Sequence, residues 1–251
     1  MKKTLQNPSK FTQNPIFEIL DGAIFIADAH FGPNDLKALY LLEELLKNPP
    51  IQVFFMGDIF HLLIGSVSSS LKDHQTILKK INQLSQITQV FYFEGNHDFG
   101  IQQKTLPYTT IIKRKNQPMQ FNYKNKTLLL AHGDIFISPS YEFYIQAITH
   151  PIILKGLFFL DCITFGKLYK IVQNKIMQKE IFALKNPKNF LSKRTGSYKN
   201  YAKKHSLSYT KILEGHFHCE LENQNYKAIP SFFCQKKILR IINNDFEAFI
   251  A

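Results

Sequence analysis

At 251 residues, with 45% hydrophobic and 20% charged residues, the chain can bury one sizeable core and is neither disordered nor fibrous. Three cysteines, Cys162, Cys219 and Cys234, are too few and too unpatterned for a disulfide framework or a cysteine-type zinc site, and they suit a reducing compartment. The net charge of +12 is concentrated in residues 167–204, where eleven Lys or Arg face the single acid Glu180. Such a segment points to an anionic partner: nucleic acid, anionic lipid or a phosphate-bearing substrate.

Residues 1–20 read as a loose lead-in; 4–15 is polar and broken by Pro8 and Pro15, so no secretory signal is expected. A strand at 23–27 is followed by a helix over 33–47, with Pro33 in its first turn and leucines at helical spacing. A strand at 52–56, a helix over 71–87 and a strand at 89–93 come next, then an antiparallel pair, 119–123 and 127–131. From 141 to about 177 aromatic and apolar residues recur at helical spacing. The most lipid-like part, 151–165, is interrupted by Lys155 and Asp161, short of the roughly 18 uncharged residues that span a bilayer. Strand signals resume at 210–213, 227–229, 238–242 and 246–250. The simplest organisation is an α/β core, 21–137 and 206–251, interrupted by a helical, aromatic and basic insertion at 138–205.

Five apolar runs end in polar groups: Asp28-Ala-His30, Gly57-Asp58, Gly95-Asn-His-Asp98, His132-Gly-Asp134 and Gly215-His-Phe-His218. Groups just past the strand ends of an α/β sheet converge on one crevice. Carboxylate, amide oxygen and imidazole without thiolate suit Mn, Fe or Zn. On an extended chain the side chains of Asp28 and His30, and of His216 and His218, would each lie on one side and reach one ion. The neighbouring glycines would permit tight turns and close backbone approach. Asp-x-His and Gly-Asp alone are weak, Gly-His-x-His is moderate and Gly-Asn-His-Asp is stronger, and all five in this order specify a metal site. His61, His74, His150 and His205 lie outside the motifs and read as surface or satisfied core residues.

These ordered motifs, spanning Asp28 to His218, resemble those of the calcineurin-like metallophosphoesterases. The resemblance implies a four-layer α/β/β/α sandwich and two divalent ions, expected to be Mn²⁺, with Fe or Zn as alternatives. It places Asp28, His30, Asp58 and His218 on one ion and Asp58, Asn96, His132 and His216 on the other, with Asp58 bridging. Two ions about 3.5–4 Å apart activate a water and stabilise an in-line displacement. His97 stands where the family has a residue that assists the leaving group, and Asp98 is expected to orient it through its ring N–H.

Within that family the chain is most similar to bacterial UDP-2,3-diacylglucosamine pyrophosphatases of lipid A synthesis, through Gly57-Asp-Ile-Phe60 and the helical insertion. The resemblance implies an acylated UDP-sugar substrate, a lid over its acyl chains and a cytoplasmic enzyme in contact with the anionic inner membrane of a Gram-negative bacterium. Tyr141 and Phe158 are candidates for the apolar wall, and Lys193, Arg194 and Lys199 for phosphate contact. One departure is His97, where the best-known lipid A enzymes carry Arg; His97 is the general phosphoesterase form, also seen in related branches with lipid A activity. A nuclease or phosphodiesterase acting on nucleic acid would use the same metals and account for the basic segment. A non-catalytic adaptor would not need all seven ligands.

Overall fold

The computed structural model describes residues 16–184, 188–243 and 245–250, so the polar stretch 4–15 lies outside the described residues. In chain order the first half forms β1 (Phe17–Glu18), β2 (Ile24–Ile26), α1 (Leu36–Lys47), β3 (Gln52–Phe55), β4 (Leu63–Ile64), α2 (Ser68–Asp73), α3 (Gln75–Ile87), β5 (Gln89–Phe93), β6 (Asp98–Phe99), β7 (Thr110–Ile112), β8 (Met119–Tyr123) and β9 (Lys126–Ala131). Helices α4 (Pro139–Ile148), α5 (Pro151–Ile163), α6 (Lys167–Met177) and α7 (Lys188–Lys204) follow. The chain ends in β10 (Lys211–Glu214), β11 (Glu222–Asn223), β12 (Tyr226–Ala228), α8 (Phe232–Gln235), β13 (Lys237–Ile242) and β14 (Asp245–Ile250).

Local chemistry sets several boundaries that the periodicity misplaces. α1 begins at Leu36, past Pro33, because the Asp35 carboxylate caps it by accepting the Lys37 N–H at 2.8 Å. The single helix expected over 71–87 is two, broken at His74, whose buried ring donates to the Leu62 carbonyl. The apolar run after 141 divides into α4, α5 and α6, with Pro151 opening α5. The lead-in is not wholly loose. Phe17 and Glu18 pair in parallel with Phe121 and Asn122, and the Phe17 ring meets Phe91 edge-on.

Strand order is β14-β13-β2-β3-β5-β7 in one sheet and β1-β8-β9-β10-β12-β11 in the other. Leu41, Leu42, Ile77 and Ile81 of α1 and α3 pack on Val53, Phe55 and Val90 of the first sheet. Its opposite face, including Phe25, Phe54 and Phe91, meets Phe121, Leu128, Leu130 and Leu213 of the second. Strands buried on both faces read as continuous apolar runs rather than alternating ones. Tyr198 of α7, with Phe190 and Leu191, covers Leu129, Ile212 and Tyr226 on the outer face of the second sheet. The result is an α/β/β/α sandwich.

The stretch 138–205 therefore divides by what it touches. α7 supplies the fourth layer, whereas Leu154, Leu157 and Tyr169 of α5 and α6 pack against Leu62, Ile64, Val67 and Phe99. No single helix among the described residues is long and apolar enough to cross a membrane.

Candidate metal centre

The parallel strands β2, β3 and β5 deliver Asp28-His30, Asp58 and Asn96-His97 to one edge of the first sheet, and parallel β9 and β10 deliver His132 and His216-His218 to the same edge of the second. The strand ends are tied within each sheet by Asp28 N–H to Gly57 O (3.1 Å) and Gly215 N–H to His132 O (2.7 Å), and the two sheets are tied to each other by the His132 Nδ1–H to Met56 O (2.9 Å) and the His216 N–H to Asp28 Oδ2 (2.8 Å). The ligand pairs converge through left-handed backbone, not through the extended alternation expected of them. Asp28, His30, Asp58, His216 and His218 have φ of 49°, 47°, 50°, 71° and 50°, a region in which non-glycine residues concentrate at functional sites. Two glycines allow the approach. A Cβ on Gly95 would lie 2.3 Å from Asp58 Oδ1, and one on Gly215 would lie 2.7 Å from Asp28 Oδ2.

All seven expected ligands come together. Donor atoms of Asp28, His30 and His218 lie within 4.8 Å of one another, as do those of Asp58, His132 and His216. His30 Nε2 faces His218 Nε2 at 3.3 Å, and His218 Nε2 lies 3.6 Å from Asp28 Oδ1. His132 Nε2 lies 3.3 Å from Asn96 Oδ1 and 3.4 Å from Asp58 Oδ1. Asp58 also clusters with His30 and His97, which puts its carboxylate between the two groups.

The electrostatics of Asp28, His30, His216 and His218 fit cations. Burial pushes His30 down to about 3 and His218 to about 4, and holds His216 well below the usual imidazole range, so three neutral rings offer lone pairs. Burial raises Asp28 to about 8, and its buried Oδ1 has no hydrogen-bond partner. A divalent cation at that point reverses this penalty and accepts the oxygen. The donor set and the orphaned oxygen therefore suit two ions, one on Asp28, His30, Asp58 and His218 and one on Asp58, Asn96, His132 and His216.

Asp98 does not orient His97. Its carboxylate accepts the N–H groups of Asp58 (3.0 Å), Ile59 (2.6 Å) and Gly95 (2.8 Å) and the Tyr92 hydroxyl (2.7 Å), fastening two ligand loops together. The His97 Nδ1–H instead donates to the His61 carbonyl at 2.7 Å, and its backbone N–H donates to Asp58 Oδ1 at 2.8 Å.

Arg194 is not free to meet a phosphate. It is buried, its guanidinium bonds Glu214 at 2.8 and 2.5 Å and the Ile135 carbonyl at 2.7 Å, and Tyr198 and Tyr226 hydroxyls complete the Glu214 shell. Lys193 and Lys199 are exposed on α7. The Tyr141 hydroxyl is buried without a partner, and burial together with the Asp134 and Asp58 charges raises its pKa. Phe158 lies away from the ligands, in a cleft with Leu154 and Lys155.

Four supporting residues fall outside the motifs. Gln117 accepts the His132 N–H (2.7 Å), Ser231 donates to Asp28 O (2.9 Å), Arg114 pairs with Asp134 (2.5 Å), and the His61 ring sits beside His30 and His97. Isolated polar residues between strands give no sequence signal for such roles.

A family profile described as calcineurin-like phosphoesterase matches residues 23–224. No curated protein matches the sequence. Among solved structures, a nuclease MPE from Pseudomonas putida shares 18% identity at a TM-score of 0.30, over 47% of this chain and 57% of that one. The chain thus spans little more than half of that relative. A dimetal phosphatase from Danio rerio shares 10% identity at a TM-score of 0.40, over 94% of this chain and 96% of that one. At these scores neither alignment bears on the chemistry.

Proposed function

This chain belongs to the calcineurin-like phosphoesterases, metal-dependent hydrolases of phosphoesters, and on that premise we propose that it cleaves the pyrophosphate of UDP-2,3-diacylglucosamine, releasing UMP and 2,3-diacylglucosamine 1-phosphate. The observation that supports an acylated substrate is α5, which leaves Ile152, Phe159 and Ile163 at 71%, 61% and 73% exposure, with Phe165 just beyond it at 90%. Soluble proteins rarely leave so continuous an apolar surface in water. Acyl chains would cover it, and α4 and α5, bent by 51° at Pro151, would rest on the anionic inner face of a Gram-negative inner membrane. The departure at His97 from the best-known lipid A enzymes leaves this substrate resting on α5.

When bound, the two ions, proposed to be Mn²⁺ with Fe or Zn as alternatives, would supply an activated water and a positive field for the phosphoryl oxygens. His97, whose Nδ1–H donates to the His61 carbonyl, would assist departure of the leaving oxygen through Nε2. The Tyr141 hydroxyl, unpartnered, would be available as a donor to the substrate. Asp98 and Gln117 hold the ligand loops against movement as charge develops.

The test is hydrolysis by the Mn²⁺-loaded protein of UDP-2,3-diacylglucosamine, its deacylated counterpart and a generic phosphodiester, with Asp58→Ala as blank. UMP released from the acylated substrate alone supports the reading; turnover of the generic ester alone discards that substrate and keeps the metal chemistry. The exposed lysines of α7 favour one rival, a nucleic-acid phosphodiesterase, whose DNA affinity would fall steeply with salt.

A further inference from the structure

The cleft that holds Phe158 is a cavity of about 570 Å³ with none of the metal ligands on its lining; it is bounded by Lys104, Lys113 and Lys115 from the core and by Leu154, Lys155 and Phe158 from α5. Its one acid, Glu94, is already matched by Lys113 at 2.8 Å, and Arg114, also on its lining, is matched by Asp134 and Glu142. Lys104, Lys115 and Lys155 are exposed and make no ion pair or hydrogen bond among the described residues. The Ser66 hydroxyl, on the same lining, is buried with no partner. Three ammonium groups without counter-charge, a free hydroxyl and an aromatic ring around one concavity match a phosphate-bearing group attached to a flat or apolar moiety. α5 also opens here, at Pro151, and adds the positive end of its dipole.

The cavity and the centre share one chain segment. Leu63 N–H donates to His97 O (2.8 Å) and Gly65 N–H to Phe99 O (2.9 Å), which holds Asp98–Phe99 against Leu63–Ile64 before the chain turns at Gly100 (φ 68°). Gly100 lines the cavity three residues past His97, and Glu94 lines it directly before Gly95-Asn96.

We propose that this cavity is a second phosphate subsite, holding the part of the substrate beyond the scissile bond. The proposal rests on the phosphoesterase reading of the neighbouring centre but not on the lipid A substrate. Two chromogenic esters test it: thymidine 5′-(p-nitrophenyl phosphate) and the same compound carrying a 3′-phosphate. The Mn²⁺-loaded wild-type protein is expected to show a KM at least several-fold lower for the doubly phosphorylated ester. The triple variant Lys104→Gln/Lys115→Gln/Lys155→Gln should erase that preference, raising its KM about tenfold while kcat and the KM of the singly phosphorylated ester stay within about twofold. Lys→Arg replacements at the three positions should restore the preference. No preference in the wild type, or one that survives in the triple variant, overturns the subsite.

Affinities of both esters for both proteins, read by calorimetry, decide the cavity even if neither ester is turned over, an outcome that would count against the centre alone. Repeating the comparison with UDP-2,3-diacylglucosamine separates the sources. A matching rise in KM there assigns the subsite to the glycolipid substrate, and a rise confined to the thymidine pair assigns it to nucleotides.

Discussion

Asp98 and Arg194 hold opposite lessons about charged side chains in this molecule. Asp98 is fully buried and binds no ion, yet its two oxygens fix the backbone on which Asp58 and Asn96 stand. Asp98→Asn keeps the size and replaces an acceptor with a donor facing N–H groups. It should weaken Mn²⁺ binding by ~10–100-fold, measurable by metal titration, with His97 left in place. Arg194→Gln strands the Glu214 carboxylate between Tyr198 and Tyr226 and should lower stability by about 3–5 kcal/mol in denaturant unfolding. Lys193→Gln, on the exposed side of the same helix, should change stability by less than about 0.5 kcal/mol. The convergence of the seven candidate ligands was legible because each follows an apolar run and because their order is restrictive. The roles of Asp98 and Arg194 were not, since a sequence shows a charged residue without showing whether its partners are water, metal or backbone.

At the scale of elements, the long apolar runs 23–27, 52–56 and 89–93 were legible as strands because burial on both faces leaves no other pattern. β7 and the β4–β6 pair were not, being three and two residues long, too short to show any period. The break at His74 likewise came from a tertiary bond to Leu62 rather than from Gly or Pro. Burial depresses the His74 ring to about 4, below the roughly 6.5 of an unfolded chain. The unfolded state then takes up the proton first, so stability present above about pH 6.5 is lost as pH falls toward 4, by about 3 kcal/mol at most. His74→Gln should flatten that part of the pH–stability profile relative to wild type in urea unfolding at pH 7 and pH 4.5. On α5, Phe159→Asp with Ile163→Asp should abolish sedimentation with anionic vesicles, while hydrolysis of a small soluble ester is unchanged. Equal vesicle binding by the variant would remove the membrane role of that helix.

The whole molecule is a sandwich in whose buried core Phe25, Phe54 and Phe91 of the first sheet stack on one another at 4.5 and 4.7 Å, and Phe54 meets Phe121 of the second edge-on at 5.5 Å. A ligand that binds only the folded state raises stability with the logarithm of its concentration over Kd. Mn²⁺ at about 100 times its Kd should therefore add about 2.7 kcal/mol per independent site, seen as a rise in Tm that EDTA reverses and that Asp58→Ala lacks.

The ligands are divided between the sheets: Asp28, His30, Asp58 and Asn96 come from one, His132, His216 and His218 from the other. The spacing of the ion pair is thus a ruler laid across the seam of the fold. Trimming a ring deep in that seam, as in Phe54→Leu, alters no ligand, yet it lets the sheets settle closer. The magnetic coupling between two bound Mn²⁺ ions should register that movement before any change in secondary structure does.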